Sequence, residues 1–212
     1  MKVSVVDYGS GNLHSVRRAL ETIGAEVQFI ETAEQIEAAD RLLVPGVGAF
    51  ASCVDGLRQR DLVEPIRAYA RGGRPMLGIC VGMQMLLTTS EEFGQHQGLD
   101  LVPGQVLAVP AVDAGGQPHK IPHIGWNALT LPPGLDSWRD TPLADVAPGT
   151  AAYFVHSFTA EPTDPSHRLA DAWYGGQPIC AALRRDNIMG FQFHPEKSGP
   201  VGLSILRAFG RL

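Results

Sequence analysis

The sequence predicts an α/β protein: a mostly parallel central sheet flanked by helices on both faces, with an antiparallel extension in its second half. Three observations predict it. The first hundred residues alternate short apolar runs with helical patterns, which is the signature of parallel strands joined by helices. The run Met76–Ile79 is apolar throughout, as a strand covered on both faces must be. From about Val102 onward, short β-like runs follow one another between turns rich in Pro, Gly and Asp. At roughly 100–200 residues per domain, the 212 residues fit one domain over 1–212.

Each element has its own local reason. Lys2–Val6 is a first strand that ends at the turn Tyr8-Gly9-Ser10-Gly11. Asn12 is a good N-cap, and Leu13, Val16, Leu20 and Ile23 then fall on one helical face until Gly24 stops it. Glu26–Ile30 is the second strand. Thr32 with Gln35 three residues on reads as a capping box for a short helix. Arg41–Val44 is the third strand, followed by the loop Pro45-Gly46-Val47-Gly48. Helical patterns span Ala49–Leu57 and Leu62–Tyr69, and Met76–Ile79 leads into helix-forming Met83–Leu87. The later β-like runs are Gln105–Val109, Trp126–Thr130, Ala151–Val155, Leu169–Trp173, Ile179–Leu183 and Ile188–Phe193. Ser198-Gly199-Pro200 starts a closing helix that repeats Val201, Ile205 and Phe209. Asp113–Pro118 and Leu131–Gly149 read as surface excursions.

Composition narrows the function classes. Apolar residues make up 44% and charged residues 18%, an ordinary globular balance rather than a disordered or membrane one. The net charge of -5 argues against binding nucleic acid through phosphate neutralisation. No apolar run approaches the ~20 residues of a membrane span, and the apolar start is too short for a signal sequence. Three cysteines, an odd count without a CxxC, predict free thiols and a cytoplasmic location.

The sharpest local pattern is Gly78-Ile79-Cys80-Val81-Gly82, between an apolar strand and a helix. It is a nucleophile elbow with Cys in place of Ser. Small residues permit the tight turn, and a helix N-terminus there can activate a thiol and hold an oxyanion. Phe191-Gln192-Phe193-His194-Pro195-Glu196 offers the partners. Pro195 ends the strand at His194, and Glu196 is placed to orient the far ring nitrogen, so Cys80, His194 and Glu196 read as nucleophile, base and orienter. The loop Pro45–Gly48 should neighbour the elbow, where its backbone N–H groups can approach a substrate beside that of Val81. His156 and Ser157 follow an apolar strand and can line the same cleft. A dinucleotide fingerprint at Gly9–His14 fails, because His14 stands where its third glycine belongs. His119 and His123 have metal-like spacing, but Pro122 prevents a helix between them and no third ligand is evident, so no metal is expected. Cys53 and Cys180 read as core fillers.

These residues carry a resemblance. GICVGMQ (Gly78–Gln84), PGVG (Pro45–Gly48) and HPE (His194–Glu196) resemble the class I, or triad, glutamine amidotransferases. YGSGNL (Tyr8–Leu13), PHIGWN (Pro122–Asn127) and YFVHSF (Tyr153–Phe158) are similar to the glutaminase subunits of imidazole glycerol phosphate synthase, the HisH family. Val81 stands where Leu is usual in that family, and Phe158 where Tyr is more common.

The resemblance implies that L-glutamine is hydrolysed by Cys80, His194 and Glu196, with Val47, Gly48 and Val81 forming the oxyanion hole. It implies Gly46, Gly82, Gln84, His156, Ser157 and Phe158 as substrate contacts, and no cofactor. It also implies a (β/α)₈-barrel cyclase partner, HisF, that takes the ammonia and meets Asn12, Lys120, Trp126, Tyr153 and Lys197. Family members are usually near-inactive until the partner's site is occupied, and a PGVG peptide that flips on activation is the corresponding physical expectation. Two other readings stay open on sequence alone: a glutaminase subunit of another pathway, and a stand-alone Cys-His hydrolase.

Overall fold

The computed structural model describes residues 1–212. Its strands are β1 (Lys2–Val6), β2 (Glu26–Ile30), β3 (Leu42–Gly46), β4 (Met76–Cys80), β5 (Leu87–Ser90), β6 (His96–Gln97), β7 (Val102–Ala108), β8 (His123–Ala128), β9 (Ala151–His156), β10 (Phe158–Pro162), β11 (Arg168–Tyr174), β12 (Gln177–Arg185) and β13 (Ile188–Phe191). Its helices are α1 (Leu13–Thr22), α2 (Ala33–Glu37), α3 (Phe50–Gln59), α4 (Val63–Arg71), α5 (Val81–Met85) and α6 (Gly199–Phe209).

The main sheet has seven strands in the order β11-β12-β13-β4-β3-β1-β2. From β2 to β13 all neighbours are parallel, and β12 and β11 extend that sheet antiparallel. Every residue of β3 and β4 is buried, which requires cover on both faces. Thr32 and Gln35 form the expected capping box at α2. The register pairs Gly46 with Cys80, so the loop after β3 opens beside the elbow after β4.

Three strands, β5, β6 and β10, were not legible in the sequence pattern. β10, β7, β5 and β6 form a separate sheet, and β8 and β9 form a two-stranded ribbon. The elbow helix ends at Met85, not Leu87, because the Leu86 carbonyl accepts the N–H groups of Leu101 and Val102 instead of a helical partner. That non-local pairing turns Leu87–Ser90 into strand. Leu131–Gly149 has no regular element but is more than a surface excursion. Trp138 and Leu143 are buried there, and Trp138 Nε1 donates to the Leu169 carbonyl at 2.7 Å.

One cluster of 56 buried hydrophobic residues runs from Val3 to Phe209, so the antiparallel half shares its core with the parallel half. Cys180 is a filler in it, and burial pushes its thiol up to about 12. Cys53 is equally buried but does more than fill space: its S–H donates to the Val47 carbonyl at 3.4 Å.

Candidate active site

The elbow begins with a backbone that L-residues rarely adopt. Cys80 has φ 56 and ψ -114, the strained turn that throws a side chain off a sheet edge. The strain is held by close packing of glycines. A Cβ on Gly82 would lie 2.0 Å from the Val44 oxygen, and one on Gly46 would lie 2.6 Å from the Gly82 nitrogen. Gly46 and Gly82 therefore pack beneath the nucleophile, and neither is among the residues that line the cavity beside Cys80. They let β3 and α5 touch backbone to backbone.

Cys80 is 5% exposed and opens on a cavity of about 530 Å³. The same cavity is lined by Val47, Gly48, Val81, Gln84, His156, Ser157, Phe158 and His194. The expected nucleophile, base, oxyanion donors and most of the expected substrate contacts thus meet in one place. Val81 starts α5, where first-turn N–H groups have no intrahelical partner. The N–H groups of Val47 and Gly48 are likewise without protein partners. The Val47 carbonyl is held by Ser10 Oγ at 2.9 Å and by Cys53. Because a trans peptide sets C=O and N–H on opposite sides, the Gly48 N–H faces away from Ser10 and Cys53. Gly48 has φ +89, a conformation glycine adopts without strain.

His194 Nδ1 and Glu196 Oε1 are 2.8 Å apart, and both side chains are buried. This acceptor fixes the proton on Nδ1 and leaves Nε2 for the sulfur. Burial alone would lower the His194 pKa. Hydrogen bonding and charge from Cys80 and Glu196 outweigh it and raise the value to about 9. The imidazole therefore holds a proton at neutral pH, and a sulfur beside an imidazolium is well placed to act as a nucleophile. The backbone is fixed too: the His194 N–H donates to the Tyr153 carbonyl at 2.9 Å, and Ser198 Oγ donates to the His194 carbonyl at 2.7 Å.

Two residues of the site, Glu92 and Gln192, carry no local sequence signal. Glu92 lines the cavity, and its Oε2 accepts the Phe50 N–H at 2.6 Å at the start of α3. Gln192 is fully buried and donates to Cys80 Sγ at 3.8 Å. An acidic residue after the strand Leu87–Ser90 becomes informative only once that strand is known to return to the elbow. The residues expected at a partner surface divide. Trp126 and Tyr153 stack edge to face, and Lys197 sits over the Tyr153 ring at 5.9 Å. Asn12 and Lys197 also reach the cavity rim. Lys120 is exposed, and its carbonyl accepts the Tyr174 hydroxyl.

The chain matches the family model described as "Glutamine amidotransferase class-I" over residues 4–211. It is 53% identical over 207 residues to "Imidazole glycerol phosphate synthase subunit HisH 1" of Legionella pneumophila (strain Paris), covering 98% of this chain and 97% of that one. The chain belongs to the HisH family of class I glutamine amidotransferases. The "Imidazole glycerol phosphate synthase subunit HisH" of Geobacter sulfurreducens is 46% identical over 212 residues, covering 100% of this chain and 99% of the relative. A solved structure described as "Structure of PurLQS from Thermotoga maritima" has a TM-score of 0.73 at 17% identity, covering 99% of this chain and 97% of that chain. At that identity it supports the HisH-family chain's fold alone. No helix is long and apolar enough to cross a membrane.

Proposed function

We propose that this chain is the glutaminase subunit of an imidazole glycerol phosphate synthase, releasing ammonia from L-glutamine for a barrel cyclase, HisF. One observation carries the glutaminase chemistry: Cys80, His194, Val47 and Gly48 line one cavity, and the Val47 and Gly48 N–H groups have no protein partner. Cys80 Sγ attacks the side-chain carboxamide carbon. The oxyanion that forms is met by N–H groups at Val81 and at Gly48 or Val47, each worth about 10²–10³ in rate. His194 gives its proton to the departing ammonia, leaving a thioester on Sγ. It then takes a proton from water as that water attacks, and glutamate leaves with the thiol restored. Glu196 holds the ring through both steps. Glu92 supplies a carboxylate on the cavity wall that suits the α-ammonium of an amino acid.

The partner reading rests on the names of the relatives and on an exposed patch. Ile124 is 55% and Trp126 59% exposed on β8, beside Tyr153 and Lys197. Tyr153 bonds the His194 backbone directly, so contact at this patch reaches the base through one hydrogen bond. The test is glutamate release from glutamine, measured with and without the cyclase and its nucleotide ligand. Release that depends strongly on both supports the reading. Full activity in the chain alone would refute the partner coupling.

A further inference from the structure

Gln192 lies two residues before His194, between β13 and the base, and no water reaches it. Its amide has two faces, and the orientation matters, because only the nitrogen can donate to sulfur. The surrounding groups decide it. The Phe158 carbonyl can only accept, and Gln84 Nε2 donates to it at 3.0 Å. The second hydrogen of that same nitrogen faces Gln192 Oε1 at 3.0 Å. Gln192 must therefore present oxygen to Gln84, which leaves its Nε2 toward Cys80 Sγ.

The anchor of this chain is itself clamped. His156 Nδ1 lies 2.8 Å from the same Phe158 carbonyl and so carries its proton there. Its bare Nε2 accepts from His123 Nδ1 at 2.9 Å, and His123 Nε2 accepts from Asn127 Nδ2 at 3.2 Å. Asn127 Nδ2 also donates to the Trp173 carbonyl at 2.9 Å, which fixes that last amide. Every donor and acceptor from β8 to the sulfur is thereby assigned.

We propose that Gln192 is a further catalytic residue, whose amide N–H donates to the Cys80 sulfur and stabilises its negative charge while His194 holds the proton. Gln84 and the Phe158 carbonyl keep that N–H turned inward. The inference rests on Cys80 being the nucleophile. The ionisable groups facing Cys80 are His194 with Glu196 behind it, Tyr8, and across the cavity Glu92, His156 and Lys197. Replacing Gln192 changes the charge of none of them.

The test is the pH–rate profile for alkylation of Cys80 by iodoacetamide in the full chain, followed by mass spectrometry of its peptide. Gln192→Leu removes the donor. A hydrogen bond to a charged sulfur is worth about tenfold in the thiolate population. A thiolate without that donor is about threefold more reactive, since nucleophilicity rises with basicity. The variant is expected to react about threefold more slowly on the acid limb and about threefold faster on the alkaline plateau, a crossover that looser packing would not produce. Gln192→Glu keeps the length and the acceptor for Gln84 but lacks the N–H, and is expected to cross over in the same sense. Superimposed profiles in either folded variant overturn the proposal, as does loss of fold in both. The assay contains neither glutamine nor partner. Failure of the glutaminase reading would instead appear in a separate assay, as no glutamate released from glutamine by the wild-type chain with the cyclase and its ligand present.

Discussion

Gly82→Ala is a change of one methyl group on which the geometry of the elbow depends. The new Cβ would lie 2.0 Å from the Val44 carbonyl oxygen and 3.0 Å from the Pro45-preceding carbonyl carbon of the same residue. Ordinary van der Waals contact needs the oxygen to retreat by roughly 1.4 Å. Neither atom is the end of a flexible side chain. Val44 is fixed in β3, which is bonded to β4 on one side and β1 on the other. The start of α5 must then move, carrying the Val81 N–H with it, or β3 must bend, carrying Val47 and Gly48. Either movement separates the sulfur from its oxyanion donors by about an ångström, which typically costs on the order of 10² in rate. Strain of this kind costs about 1–3 kcal/mol of stability, so the chain stays folded with a melting temperature lower by several degrees. The assay is kcat and KM for glutamate release with the cyclase partner, beside a thermal melt. The expected result is a roughly 100-fold loss in kcat with a cooperative melt retained. A folded Gly82→Ala variant with kcat within about threefold of wild type would refute the packing of PGVG on the elbow as the source of site geometry.

Other consequences follow from charge and exposure. Glu196→Gln removes one of the two groups that raise His194, so the His194 titration, followed by NMR, should move down from about 9. Because the folded-state value lies above the ordinary histidine value of 6.5, His194 contributes stability fully below about pH 6.5 and loses it as pH rises through about 9. The stability gap between wild type and His194→Asn should therefore shrink across that window, as denaturant melts at several pH values can show. His123 and His156 shift the opposite way: burial lowers them to about 4 and about 3. Their neutral forms stabilise the fold above about pH 6.5, and that contribution should be lost as pH falls toward 4 and below, with a shallower acid loss in His156→Gln. Trp126→Ala should weaken the complex with the cyclase by about 2 kcal/mol, or about 30-fold in Kd by calorimetry, while leaving the isolated chain's melt unchanged.

What was legible in the sequence was what local chemistry decides. The elbow reads correctly from Gly78 to Gly82 because a strand-to-helix turn leaves few choices of residue. The contact between His194 and Glu196 was legible because they flank Pro195 two residues apart, although β13 ends at Phe191, short of the His194 end that the alternation predicts, because Gln192 and Phe193 leave the ladder in a bend. The parallel half reads well because its strands are separated by amphipathic helices. The misses are non-local. Leu87–Ser90 becomes strand only because residues near Val102 return to pair with it. Gly46 and Gly82 are required by a backbone approach between two elements 36 residues apart (82 − 46 = 36), which no local pattern reveals. Gln192 has an ordinary position in an alternating strand pattern, and nothing local says that its amide meets a sulfur 112 residues away. The unusual backbone at Cys80 and the clamp on the Val47 carbonyl are likewise properties of the assembled site.

The most direct measurement is the mass of the chain quenched during turnover of L-glutamine in the presence of the cyclase and its ligand. A glutamyl thioester is expected on the peptide containing Cys80 and on no other, and Cys80→Ala is expected to abolish both the adduct and glutamate release. Glutamate release that persists in Cys80→Ala, or an adduct on Cys53 or Cys180, would contradict the assignment of Cys80 as the nucleophile.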